Sequence, residues 1–530
     1  APAEIQTDGS VLLQAGSTIG SQSNELEIGS SSNSGSTTIA THSGNAQWLG
    51  GTNGNIVVGS VTAQQDNAID PDIVATTRSG LTTTANDAPI TLTTDAGDIT
   101  VEEAVTAHGS GDINVGAFGS GEVVIDNSSG NSGQLVSTSG TVQVYAGGAF
   151  TTTTATTGVA EIDTTGSVLI DVDDNIGTTN NRIELANVST IAARTRTGGS
   201  DAANSAIYLR KLGTSDDITV GSVEFVTGGG PLTGLTTGAK NAPITLTTQG
   251  GNLIVTQDIQ ANGHGNVDLR TASGRAGSIQ INGGQIRSGA SGDGTGTIQL
   301  LSGSAITTTD TTAIDEIATA GAVLLRADGA IGSTDNRIEL AGDLTLSTTS
   351  ADEQWIRQTS GDLLVRTVSS IADNLDNAVS GDFSGVTTTA NDGAITLTTD
   401  AGDLTIAQAV EAHGSGDIDL RTADSGDITI DNDGSGDTGQ LVANDATSTV
   451  QLIAGGAITT TSSNGSVNEV ASPGLVRLEA GDEIGSTTNR IELDNVITVA
   501  AEAGEGGLWL RGMESAAVLT IGSVDGVNGA

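Results

Sequence analysis

The pentapeptide NRIEL stands at residues 181–185, 336–340 and 489–493, with a degenerate copy, NELEI, at 24–28. It is one landmark of a much longer repeat. AEIQTDGSVLL (3–13) matches AEIDTTGSVLI (160–170), DEIATAGAVLL (315–325) and, more loosely, NEVASPGLVRL (468–478). Glu4, Glu161, Glu316 and Glu469 thereby share one phase, at spacings of 157, 155 and 153 residues. The phrase I-G-x-x-x-N follows each time, from Ile19, Ile176, Ile331 and Ile484, and runs into NRIEL or its variant. An aromatic then recurs at Trp48, Tyr208, Trp355 and Trp509. In three copies it opens an aromatic–aliphatic–Arg triplet: Tyr208–Leu209–Arg210, Trp355–Ile356–Arg357 and Trp509–Leu510–Arg511. A further block recurs as LTTTANDAPITLTTDAGDITV (81–101), LTTGAKNAPITLTTQGGNLIV (235–255) and VTTTANDGAITLTTDAGDLTI (386–406). A chain that copies one unit this closely buries its apolar face between neighbouring units, which restricts it to folds that grow by stacking. The units are 4–160, 161–315, 316–468 and a partial fourth, 469–530, and they are expected to form one continuous solenoid. The sequence starts and stops inside a repeat, which predicts a slice of a longer repetitive protein, or a subunit docking end to end with copies of itself.

A unit of this length is too long to be one structural rung. Inside it, ITLTT, VLLRA, TVQVYAG and SVLIDVD alternate apolar and polar residues with the period of a strand, and Gly, Asp, Asn or Ser bound each run. No stretch holds a helical period. The expectation is an all-β fold, a β-solenoid of parallel β-helix type, with coils stacked about 4.8 Å apart. At roughly 20–25 residues per coil this predicts about two dozen coils and a rod about 110–120 Å long.

Composition removes the competing readings. Phe, Tyr and Trp together make only 2% of the chain, too little for a conventional core, since large aromatics bury the most area per residue. A net charge of −45 with few aromatics would suit disorder, but the 35% hydrophobic share is patterned. Acidic residues outnumber basic ones 63 to 18, and Lys211 and Lys240 are the only lysines. Such a surface repels nucleic acid and anionic lipid headgroups and suits a secreted protein kept soluble by charge. Cysteine is absent, which excludes disulfides and thiolate metal sites. No run of 18 apolar residues predicts membrane insertion, and no segment has signal-peptide character.

In palette and phrase the chain resembles the filamentous-haemagglutinin-like family of bacterial secreted surface proteins. The resemblance lies in GAITLTTDAGDLTI (393–406), GGAITTTSSNGSV (455–467) and IGSTTNRIEL (484–493), and it covers the whole chain as a style of repeat. It implies a right-handed parallel β-helix exported across the outer membrane and used in adhesion, matrices or fibres. The regularity of the long unit departs from that pattern and suggests a giant fibrous member.

Candidate functional residues are few. In a strand, Arg182 and Glu184 of NRIEL share one face and Ile183 and Leu185 the other, which predicts an inward aliphatic pair and a solvated Arg–Glu face. The aromatic–Arg slots are the candidate contact residues: Trp48, Tyr208, Arg210, Trp355, Arg357, Trp509 and Arg511. Outward, they could stack on glycans or meet neighbouring cells. Inward, they are packing residues. Equivalent slots are expected on one side of the coil. The run DNDGSGD carries Asp431, Asp433 and Asp437 and invites a calcium reading, but EF-hand spacing and a G-G-x-G-x-D array are both missing, so these read as turn aspartates with calcium the only cofactor in view. The Thr run at 151–157 lacks the regular ranks of an ice-binding face. His42, His108, His264 and His413 form no catalytic spacing, and no enzyme is expected. The sequence reads as a structural segment of a secreted bacterial cell-surface or matrix fibre, with a glycan- or cell-binding adhesin as the alternative.

Overall fold

The computed structural model describes residues 3–32, 35–63, 76–128, 130–155, 158–196, 205–274, 276–289, 292, 294–309, 315–373, 375, 379–432, 437–463, 467–513 and 519–527. Among them there is no helix. Short strands run from Ile5–Gln6 to Thr520–Ile521, and nearly all pair in parallel with a strand one coil later. The architecture is an all-β parallel β-helix. It comprises two compact units, 1–251 and 252–530.

The strand period explains the core. In the first unit Ile90, Ile113, Val142, Val168 and Ile191 are successive register partners, and all are fully buried. Two residues on, Leu92, Val115, Val144, Ile170 and Ala193 form a second buried column. Alternation sends the residues between them to the opposite face. Burying one such aliphatic side chain contributes about 1.5–3 kcal/mol. Each copied coil therefore brings its own core layer. Coil length varies with the loops: 23 residues separate Ile90 from Ile113, 29 separate Ile113 from Val142, and only 18 separate Ile338 from Ile356.

Each coil places one long strand on one sheet and two short strands on the other. The long column of the first unit runs through Gln47–Gly51, Ile90–Thr94, Ile113–Ala117, Val142–Ala146, Ser167–Val172 and Thr190–Thr195. Opposite it, paired short strands stack: Ile99–Val101 with Val105–Ala107, then Val123–Ile125 with Leu135–Ser137, then Phe150–Thr152 with Ile162–Asp163.

The two sheets then exchange roles. Thr190–Thr195 divides, pairing with Ile218–Val220 through its first half and Leu235–Thr236 through its second. On the other sheet the two short columns merge. Phe150 bridges to Ile176 and Ile176 to Ile207, while Ile162–Asp163 passes through Ile183–Ala186, and both lines end on the single strand Ile207–Lys211. In the second unit Leu344–Ser350 divides onto Leu363–Val365 and Val386–Thr388, and Ile331 and Ile338–Ala341 merge on Gln354–Ser360.

The exchange overturns one expectation. Trp48 and Tyr208, both in the first unit, lie on different sheets, as do Trp355 and Trp509 in the second. Equivalent slots alternate between sheets because the long column changes sheets between one slot and the next.

Candidate functional site

The repeated phrases meet at the merging coil. Ile176 continues one short column, and the next residue has to turn the chain sharply. Gly20, Gly177, Gly332 and Gly485 do so at φ of 67°, 64°, 70° and 68°, where side chains are disfavoured. A Cβ would also stand 2.3, 2.8, 2.5 and 2.6 Å from the carbonyl oxygens of Trp48, Tyr208, Trp355 and Trp509. Each of these aromatic residues donates its backbone N–H to the preceding Ile carbonyl, from Trp48 to Ile19, Tyr208 to Ile176, Trp355 to Ile331 and Trp509 to Ile484, all at 2.8 Å. The asparagine of I-G-x-x-x-N ties the turn to the coil before it: Asn181 Nδ2 donates to the Thr152 carbonyl and Asn489 Nδ2 to that of Thr460. The I-G phrase and the aromatic slot are thus two sides of one contact.

NRIEL and the triplet stack in register. Ile183 lies on Leu209 and Glu184 on Arg210; Ile338 on Ile356 and Glu339 on Arg357; Ile491 on Leu510 and Glu492 on Arg511. The pairs are ionic. Arg210 Nη1 is 2.6 Å from Glu184 Oε1, Arg357 Nη1 is 2.9 Å from Glu339 Oε1, and Arg511 Nη1 is 3.4 Å from Glu492 Oε1. The degenerate first copy sets Gly50 against Glu27, and the cation is lost.

A second carboxylate lies one coil below. Glu161, Glu316 and Glu469 are buried, and each accepts the backbone N–H of the NRIEL glutamate, from Glu184 at 2.6 Å, Glu339 at 2.7 Å and Glu492 at 2.7 Å. Each also accepts a threonine hydroxyl, from Thr152, Thr308 and Thr460. Burial away from water pushes all three carboxyls up to about 7, against the opposing pull of these hydrogen bonds. The neighbouring NRIEL carboxylate adds to the rise. The sequence marks these glutamates only as landmarks of the repeat. The usable signal is a charged residue kept immediately before an inward Ile or Val in every copy.

The expected solvated face of NRIEL holds for Arg490, which is exposed, but needs correction in the copy at 181–185. Arg182 and Glu184 are 4% and 1% exposed. Arg182 donates to Thr247 Oγ1 at 3.1 Å, and the next coil covers Glu184 with Arg210. In a parallel stack an outward side chain is flanked above and below, so outward does not mean wet. The aromatics differ among copies. Trp355 is 6% exposed, with the Arg337 guanidinium 5.8 Å from its ring centroid, whereas Trp48, Tyr208 and Trp509 are half-buried. Arg210 is buried, and Arg357 and Arg511 are partly exposed.

Asp433 lies outside the described residues. Asp431 accepts the Thr461 hydroxyl at 2.7 Å, and Asp437 pairs with Arg366 at 3.1 Å. Among the described residues no three His, Cys, Asp or Glu side chains cluster so as to hold a metal ion. Compared with protein-family models, curated proteins and solved structures, the chain matches none.

Proposed function

We propose that this chain is a structural segment of a secreted, extracellular bacterial fibre, giving it length and durability in the manner of the filamentous-haemagglutinin-like proteins it resembles. One observation carries the reading: the most faithfully copied positions, those of NRIEL, the I-G turn and the aromatic–Arg triplet, spend their backbone hydrogen bonds and their Glu–Arg charges on neighbouring coils. Copying such a unit extends the stack with no new core to design. The excess of acidic side chains keeps neighbouring fibres apart at low salt and lets them approach when cations screen it.

Removing residues 161–315 in the producing bacterium tests this. Glu316 then follows residue 160 in the phase of Glu161, so the stack is expected to remain intact. The expected result is an exported protein and extracellular filaments shortened in electron micrographs. Filaments of unchanged length, or a chain retained inside the cell, would overturn the proposal.

A further inference from the structure

After each long strand divides, a segment leaves the coil and folds back over the outer face of the long column. In the first unit Ser222–Val223 pairs antiparallel with Leu232–Thr233, and Val223, Phe225 and Leu232 pack on Leu169 and Ala192. In the second, Val368–Ser369 pairs with Asp382–Phe383, and Val368, Val379 and Phe383 pack on Leu301 and Leu324. In three places a glutamine receives the segment. Gln143, Gln299 and Gln451 accept the backbone N–H of Val226, Ile371 and Val527 at 2.8, 2.9 and 3.2 Å.

In two places an Asp–Arg pair staples the segment down. Asp268 binds Arg270, whose Nη2 donates to the Ile371 carbonyl at 2.6 Å; Asp419 binds Arg421, whose Nη2 donates to the Val527 carbonyl at 3.2 Å. The register puts Asn114 and Gly116 at the same two positions in the first unit. The staple is gone, and so is the charge that would need it. A cleft of about 540 Å³ lies there, within the roughly 300–1,000 Å³ of small-molecule sites. Phe118, Tyr145 and Phe225 line it. Where the first unit has Phe118, the other two places have Ala272 and Ala423; Tyr145 is matched by Leu301 and Ile453, and Phe225 by Ser370 and Gly526. A chain with four Phe, three Trp and two Tyr thus brings three of them to the one place where the staple is missing. Phe118 stays 40% exposed, its ring centroid 5.0 Å from that of Tyr145 at 46°. Packing alone does not call for that ring, since the other two places hold their segments with alanine there.

We infer that this cleft binds a neutral sugar ring, free or at the end of a glycan. The exposed Phe118 ring suits the C–H face of a pyranose, while Tyr145, with Arg196 over its ring at 4.3 Å, and Phe225, packed on the segment's core, form the walls. Thr91, Thr227, the Asn114 amide N–H group and the Thr93 hydroxyl oxygen line the cleft with neutral groups that match sugar hydroxyls, the Asn114 carbonyl being taken by Gln143 and the Thr93 proton by Glu25. The one cation, Arg196, is spent on Asp171 at 2.6 Å, Asp173 at 3.1 Å and the Tyr145 hydroxyl at 2.7 Å. Glu25 and Asp95 also line the cleft, so an anionic ligand would meet unbalanced negative charge.

Titration calorimetry of the whole chain tests the assignment, with neutral hexose and N-acetylhexosamine oligosaccharides set against sialylated and sulfated ones and a trilysine peptide. A neutral oligosaccharide is expected to bind, and Phe118→Ala to weaken it by at least about tenfold. The double variant Asn114→Asp, Gly116→Arg restores the staple with which the other two places fold, and it should abolish binding while circular dichroism stays unchanged. Trp509→Ala should leave binding intact, which separates this cleft from the aromatic slots. The inference is overturned if no neutral oligosaccharide binds, if sulfated sugars or trilysine bind in preference, or if the folded double variant still binds. Should the double variant not fold, an unchanged affinity in Phe118→Ala overturns it alone. None of these outcomes bears on filament length, so the fibre proposal stands or falls separately.

Discussion

The merging coil at 161–211 and the sheet face at 113–146 lie in the same unit and obey different rules. At the merging coil, the turn glycine, the buried glutamate, the NRIEL pair and the aromatic residue are joined through backbone and side chain together, and the three full copies keep the same contacts, only the degenerate first copy losing its cation. On the sheet face the inward aliphatics are kept, while the outward positions change from Asn114 and Gly116 to Asp268 and Arg270. A parallel ladder constrains inward side chains and is indifferent to most outward ones. Fidelity in this chain marks where stacking needs particular atoms, and divergence marks where it does not.

Removing a cation at the merging coil should give the largest effect. Arg210 and Glu184 have side chains only 10% and 1% exposed and meet at 2.6 Å. Arg210→Ala leaves a buried carboxylate without that partner and should cost about 3–5 kcal/mol. Arg511 is half exposed and 3.4 Å from Glu492, so Arg511→Ala should cost less than about 1 kcal/mol. Hydrogen exchange of Ile183–Ala186 and of Ile491–Asp494 reads the two locally. Equal losses would show that burial does not separate the copies.

The turn comes next. Gly332→Ala places a Cβ 2.5 Å from the Trp355 carbonyl oxygen at a φ of 70°, and should cost about 2–3 kcal/mol. Protection should fall first in Ile338–Ala341 and Gln354–Ser360, the strands on either side of the turn. A loss spread evenly over the unit would argue against a local clash.

The buried glutamates give a pH dependence of unusual sign. Their folded pKa lies at about 7, above the ordinary 4.5, so the folded state holds the proton more tightly than the unfolded chain. Their stabilising contribution is complete below about 4.5 and is lost as pH rises through about 7. The slope in that window is at most about 1.4 kcal/mol per pH unit for each glutamate. Relief of charge repulsion acts in the same direction, so the measurement is a difference: melting of the parent and of Glu161→Gln between pH 4.5 and 7.5. The variant should have the shallower slope. Parallel curves would mean that Glu161 titrates in its ordinary range.

Much of the fold is legible in the sequence. Period-two runs, turn residues at the corners and the long repeat together predict parallel stacking, because inward aliphatics and positive-φ glycines are local requirements. The exchange of sheets is not legible, because it depends on which half of Thr190–Thr195 each later strand finds. The burial of Arg182 and Glu184 is not legible for a related reason: strand alternation gives the direction of a side chain and says nothing of the coil lying against it. The aromatic slots and NRIEL were each visible as motifs, and the register makes them partners. The cleft left a fainter trace. Gly116 and Phe118 look unremarkable until they are set beside Arg270 and Ala272.

The smallest expected effect is the sharpest test of the comparison. Gly116 lies in the strand Ile113–Ala117 and is not among the glycines with positive φ. A Cβ built on it meets nothing nearer than Thr93 Cγ2 at 3.5 Å and Phe118 Cζ at 3.6 Å, ordinary contact distances. Gly116→Ala should therefore leave stability unchanged or raise it by up to about 1 kcal/mol, through the reduced freedom of the unfolded chain. The same substitution at Gly332 is expected to be severe, so the pair isolates backbone demand from residue type. If Gly116→Ala destabilises as Gly332→Ala does, glycine is needed for the strand itself, and its presence says nothing about room for a ligand. If it is neutral, stacking makes no demand for glycine at this position, and the residue found there is free to be set by what the cleft beside it holds.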